Sequence, residues 1–205
     1  MSKIIKYNLE IMSGIFAVIT AIAVINWNDL SLLRQMTVLF MILYTLHEWE
    51  ESRFPGGFYR IFFSKCTIDP TVSEEQMHLP VAVYLMIILL TPFIFENIVV
   101  VALVPLILAL FEGFIHTAGI VIHQLKKPYS PGMITAWIMF GYAIIMIHRL
   151  NTEFAIEAFD WILGVALTII SFVIMEIRFM KGVGITIKEF QTNMKNYMLH
   201  RIKNR

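Results

Sequence analysis

Charge is what this sequence has little of. Asp, Glu, Lys and Arg make up 15% of its 205 residues, where a soluble domain carries about a quarter. The deficit is gathered into long uncharged runs, which excludes an ordinary soluble globule and points to an integral membrane protein. A net charge of +1 leaves no basic footprint for nucleic acid. Cysteine is nearly absent. The single Cys66 makes no internal disulfide and falls in a segment expected on the cytoplasmic side, so it reads as a reduced, structurally neutral thiol. Internal repeats and low-complexity tracts are missing as well. The thirteen methionines form no regular ligand cluster, and they read as membrane packing rather than a copper path.

What is present is apolar length. With 58% hydrophobic residues and a mean hydropathy of +0.73, six segments approach the roughly 20 residues that a spanning helix needs. They are 9–27, 31–50, 78–95, 98–122, 133–149 and 157–177. The expected fold is an all-α, polytopic transmembrane helical bundle over 1–180, followed by a cytoplasmic tail over 181–205. The first run follows Lys3 and Lys6 but lacks a small-residue cleavage pattern, so it reads as a retained helix. Glu96-Asn97 separates the third and fourth segments; a five-helix count with one re-entrant segment is the alternative. Six spans put fourteen of the sixteen Lys and Arg residues on one side, leaving only Arg34 and Arg149 opposite. By the positive-inside rule both termini are expected to be cytoplasmic. Ile187, Phe190, Met194, Tyr197, Met198 and Ile202 share a helical face flanked by basic residues, so 185–202 is expected to be amphipathic and to lie along the inner leaflet. Residues 58–63 read as a short aromatic interfacial helix after the Phe54-Pro55-Gly56-Gly57 turn.

Ionisable groups in such a chain are costly and mark function by default. His47 is followed at the end of the second segment by Glu50 and Glu51, three and four residues on, close enough to share its helical face. Between Arg34 and His47 there are only 12 uncharged residues, about 18 Å of helix against a hydrocarbon core of about 30 Å. In the fourth segment Glu112 interrupts the apolar run after 14 residues, so Glu112 and His116 belong within the bilayer's depth. Glu112, His116, Gly119 and His123 fall on one stripe, and Gly113, Ala118 and Gly119 are small enough for a neighbour to approach. If that neighbour is the second segment, His47, Glu50, Glu51, Glu112 and His116 meet at one depth near the cytoplasmic face, with His78 and His123 as further candidates.

These elements resemble the HXXEE family of integral membrane proteins. The resemblance rests on His47-x-x-Glu50-Glu51, on His116 in the run Glu112-Gly113-Phe114-Ile115-His116-Thr117, and on Tyr129-Ser130-Pro131-Gly132, in the family's order over about 47–135. The family pattern often has an asparagine four residues before the later histidine, where this chain has Glu112. No activity comes with the resemblance.

Each candidate has a plainer reading. Glu51 pairs with Arg53 at a helix end; Glu112 and His116 only fix helix packing; His78 and His123 are solvated interfacial histidines; Glu176 pairs with Arg178 or Lys181. Tyr129-Ser130-Pro131-Gly132 is first a turn opening the fifth segment, with the Tyr129 hydroxyl in the site as the minority reading. The cluster taken whole leads to a membrane enzyme, with a divalent metal (zinc, iron or manganese) on imidazole and carboxylate ligands and Glu50, Glu51 or Glu112 as catalytic carboxylates. Hydrolysis of a lipid, or of a membrane-associated small substrate or peptide, is the first choice. A metal-free, glutamate-dependent protease is a variant, although Arg53 lies only two residues after Glu51 and breaks that family's Glu-Glu-x-x-x-Arg spacing. The other classes are a non-catalytic immunity or assembly factor and a proton or metal transporter. Against a transporter, no inverted repeat is visible and the polar groups gather at one end.

Overall fold

The computed structural model describes residues 3–65, 72–123, 125 and 127–203, without the side chains of residues 62, 64, 65, 123, 194, 198 and 200–203. Cys66 and Lys126 therefore lie outside the described residues. So do the side chains of His123, Met194, Met198 and Ile202.

Every regular element among the described residues is helical. The helices are α1 (Lys3–Lys6), α2 (Asn8–Ile25), α3 (Leu32–Ser52), α4 (Phe58–Lys65), α5 (Glu74–Ile94), α6 (Val99–His123), α7 (Met133–Glu153), α8 (Ala158–Val183) and α9 (Ile187–Lys203). The turn expected at Glu96-Asn97 does separate α5 from α6. Ser73 and Gln76 close a reciprocal capping box at the start of α5, satisfying two backbone N–H groups that the helix itself leaves free.

Five helices, α2, α5, α6, α7 and α8, are long and apolar enough to cross a membrane. They suggest a multi-pass membrane protein. Their outward faces carry exposed Ile22, Ile87, Ile145 and Ile169, the reverse of a soluble bundle and what lipid contact requires. The sixth expected span, α3, is not among the five, since it carries Arg34, Glu48, Glu50 and Glu51. Instead it is the inner helix. It packs against α2, α5, α6 and α7 and buries Leu33, Met36, Phe40, Met41 and Tyr44 together with His47, Glu48, Glu50 and Glu51. Tyr44 donates a 2.7 Å hydrogen bond to the Pro105 carbonyl of α6, fixing the register of the two helices. At the other end of α3, Arg34 pairs with Glu96 at 3.0 Å and donates to the Phe93 carbonyl.

α8 closes the bundle by packing on α5 and α6. α9 follows it after the Gly184 turn and is tied back to α6 by Tyr197, whose hydroxyl donates to the Ile122 carbonyl at 3.3 Å.

Candidate metal centre

The site forms where α3 and α6 meet the loop that opens α7. The sequence provides two helical pairs with i,i+4 spacing, His47/Glu51 on α3 and Glu112/His116 on α6, and such pairs face the same way on a helix. In the structure the two pairs face each other. Glu51 Oε1 lies 3.0 Å from His116 Nε2 and 3.6 Å from His47 Nε2. Glu112 Oε2 lies 3.8 Å from each of the two Nε2 atoms. The ligand atoms of His47, Glu51 and His116 all fall within 4.8 Å of one another, and all three residues are buried.

Those separations have a direct meaning. Zinc bonds of about 2.0–2.1 Å in tetrahedral array put ligand atoms about 3.3–3.4 Å apart. The four histidine–carboxylate separations given above bracket that value.

The loop before α7 sets which ring nitrogen faces inward. His47 Nδ1 is 3.0 Å from the Gly132 carbonyl and 3.0 Å from Thr135 Oγ1. A carbonyl only accepts, so Nδ1 carries the proton and Nε2 presents a lone pair to the cluster. His116 Nδ1 is likewise held by Ser130 Oγ at 3.0 Å. Partners in these positions are what orients histidines where a metal is bound. His116 Nε2 is buried without a hydrogen-bond partner, although Glu51 Oε1 lies 3.0 Å from it. A lone pair facing a carboxylate in an apolar interior is unfavourable until a cation stands between them.

Gly132 is the tightest point of the assembly. Its φ is +89°, and a Cβ there would meet Glu51 Cγ at 2.6 Å and His116 Cε1 at 2.7 Å. Gly132→Ala is therefore expected to push both ligands apart. It should lower metal affinity about tenfold or more and cost about 1–3 kcal/mol of stability, from backbone strain alone. Metal titration and thermal unfolding of the same variant check both effects. Unchanged affinity would mean that the two side chains do not act together.

Glu50, expected in the cluster, is turned away from it. Neighbouring residues on a helix point about 100° apart, and Glu50 faces the start of α7. There it accepts from Thr135 N at 2.9 Å, Thr135 Oγ1 at 2.6 Å, Ile134 N at 3.2 Å and Tyr129 Oη at 2.9 Å. Gly132 provides no side-chain cap for α7, so a carboxylate from another helix does that work at the positive end of the helix dipole. The Tyr129 hydroxyl stays protonated as donor, its pKa pushed up to about 12 by burial and by the Glu50 carboxylate it bonds. The tyrosine thus serves Glu50 rather than the metal cluster.

Other expectations are redrawn. His78 is buried beside the site, not in it: its Nδ1 is 3.2 Å from Ser52 Oγ and 3.9 Å from Glu48 Oε2. The small residues of α6 do not all serve α3, since a Cβ on Gly113 would strike Phe140 of α7 at 2.8 Å. Arg53 pairs with Glu10 and Glu75, not with Glu51. Glu176 forms no ion pair with Arg178 or Lys181 among the described residues. One residue past buried Met175 and three before buried Phe179, it faces inward and lines a cavity instead.

That cavity, about 310 Å³, opens beside the cluster and is lined by His47, Glu51, Glu112 and His116 at its polar end. Phe58 of α4 covers His116, ring centroids 5.1 Å apart. Sequence reasoning passed over Glu48, Ser130 and Thr135. Glu48 had a usable signal, being an acid one residue from His47 in a segment where every acid is costly. Thr135 had none, because its role depends on α3 arriving from more than 80 residues away. Ser130 was visible only as part of a turn, its contact to His116 of α6 depending on how the intervening loop folds back.

Residues 38–147, more than half of the chain, match the model of a family described as a protein of unknown function with HXXEE motif. No curated protein and no solved structure matches.

Proposed function

The chain belongs to the HXXEE family, and from that premise we propose that it is a membrane-embedded, metal-dependent hydrolase. His47, Glu51 and His116 would bind the ion and Glu112 would be the general base. The observation that carries this is the pair of imidazoles held through Nδ1, whose Nε2 atoms face the same buried carboxylate oxygen at 3.6 and 3.0 Å. Two imidazoles and one carboxylate form a ligand set of catalytic zinc sites, which keep a fourth position open. Iron and manganese accept the same donors.

A divalent ion in this position supplies Lewis-acid polarisation of a carbonyl and of water. The rest is work for the chain. Glu112, half-buried and beside both imidazoles, takes the proton from the attacking water and returns it to the leaving group as the scissile bond breaks. The apolar walls exclude bulk water and strengthen every charge interaction inside. A substrate that reaches such a pocket is a lipid or another membrane-associated molecule.

Glu112→Gln tests the assignment. The variant is expected to keep its metal and to lose about 10²–10⁴-fold in hydrolytic rate, the usual contribution of a positioned general base. Metal analysis beside turnover of an ester-lipid panel reads both. Full activity in Glu112→Gln would remove it from the chemistry.

The same proposal makes α3 a sixth crossing helix, largely buried among the others but with Leu39, Ile42 and Leu46 left exposed on one face, with both termini cytoplasmic and α9 along the inner leaflet. Its support is the length of α3, its central burial, the pairing of Arg34 at the end far from the cluster, and the basic residues gathered on one side. Reporter fusions at Asn28, Glu96 and Asn151 are expected to give the outer-side signal. A cytoplasmic signal at Glu96 would overturn this topology.

A further inference from the structure

The cavity contains more negative charge than a metal centre uses. Four carboxylates line it, from Glu48, Glu51, Glu112 and Glu176, and no lysine or arginine is among its described lining residues. The proposed centre accounts for Glu51 and Glu112. Glu48 is left over, with its side chain 7% exposed and His78 Nδ1 no closer than 3.9 Å. Neither Glu48 nor Glu176 makes a hydrogen bond among the described residues. A buried carboxylate without a close partner is costly, and pairing with a cation removes that cost.

The walls around these two acids indicate which cation. Tyr59, Phe172 and Phe179 line the same space. The Tyr59 and Phe179 rings stack at 5.3 Å between centroids, and Tyr59 also packs on His78 at 4.7 Å. These stacked rings wall the space with apolar surface. Carboxylates left over in such an aromatic-lined cavity are the chemistry that holds an organic ammonium through charge, with cation–π attraction added where a ring face is open to the nitrogen. The remaining lining is apolar, with Phe111, Ile115 and Met180 among it. The cavity volume of about 310 Å³ is at the small end of the range for ligand sites, about 300–1,000 Å³, which suits one chain rather than two.

We infer that this cavity takes a single-chain amphiphile bearing an ammonium group, the nitrogen held by Glu48 and Glu176 and the alkyl chain lying along the apolar wall. This deepens the proposed function and rests on it for the reaction, though not for the binding. Glu48 and Glu51 are three residues apart on α3, about 5–6 Å between Cβ atoms. The ammonium subsite therefore adjoins the metal subsite, and the bond hydrolysed lies only a few atoms from the nitrogen.

The test is calorimetric titration of zinc-loaded protein in nanodiscs with dodecylamine, dodecanol and dodecanoate. Glu176→Gln is measured in parallel, with Glu48→Gln as the second variant should the first fail to fold. Non-specific uptake by lipid is common to wild type and variant and cancels in their difference. Dodecylamine is expected to saturate one site at least about tenfold more tightly than the other two, the loss expected when one member of a buried charge pair is removed. The variants should abolish that preference without changing dodecanol binding. Equal affinity for the three probes, or variants that bind the amine as well as wild type, would overturn the inference. Zinc content of the same samples separates the two ideas. Zinc retained with no amine preference removes the substrate class alone, and amine preference without zinc removes the metal centre alone. A second zinc per chain, lost in Glu176→Gln, would assign these acids to metal and overturn the ammonium site.

Discussion

His116→Ala is expected to empty the protein of metal while leaving it folded and inserted. His116 brings a buried Nε2 to within 3.0 Å of Glu51 and 3.8 Å of Glu112, so its loss removes one ligand and frees both carboxylates to repel each other. Its neighbours provide an internal scale. Ser130→Ala takes away only the partner of Nδ1 and should weaken metal binding by about 10–100-fold, the usual effect of an orienting group. His116→Ala should exceed that by a wide margin. Affinity should also fall as pH is lowered, because protons compete for the imidazoles and carboxylates that bind the ion. Titration with a competing chelator at two pH values measures all three effects. Equal affinities for wild type, Ser130→Ala and His116→Ala would mean that any bound metal is elsewhere.

Glu50→Ala is expected to act on stability instead of chemistry. Four hydrogen bonds converge on its carboxylate, two of them from backbone N–H groups in the first turn of α7. Hydrogen bonds to charged groups contribute about 1.5–3 kcal/mol each, though less than additively, so the loss should be about 3 kcal/mol or more. α7 also carries the loop that orients both histidines, so weakened metal binding should follow from loosening rather than from a missing ligand. Thermal unfolding of Glu50→Ala and of the acceptor-retaining Glu50→Gln separates these effects. Glu50→Gln is expected to recover part of the stability with full metal stoichiometry. Stoichiometric metal loss in Glu50→Gln at unchanged stability would put Glu50 among the ligands.

The two glutamates of the motif show where sequence reading reached and where it stopped. Composition and run length gave the helical, membrane-like class, and the shortened apolar runs put His47 and Glu112–His116 at matching depth. The i,i+4 spacing identified His47/Glu51 and Glu112/His116 as pairs, and the structure brings those pairs together. Spacing did not separate Glu50 from Glu51, since both fall within one turn of His47. What separates them is the start of α7, a contact made across more than 80 residues that no local pattern encodes. Gly113 illustrates the same limit: its smallness was visible, its partner Phe140 was not. Glu48 and Glu176 were legible as acids but not as cavity-facing ones: Arg178 and Lys181 offered Glu176 a simpler partner nearby, and no local pattern tells which way Glu48 turns. The Tyr129–Gly132 turn was recognised as a helix start, yet its Ser130 hydroxyl and Gly132 carbonyl also fix the ring nitrogens of the site.

X-ray absorption at the zinc edge, on protein loaded with one equivalent of zinc, tests the central claim most directly. The expected first shell is two imidazole nitrogens with one or two carboxylate oxygens at about 2.0–2.2 Å, losing one imidazole in His47→Ala. An all-oxygen shell, or one that His47→Ala leaves unchanged, would contradict the proposed centre.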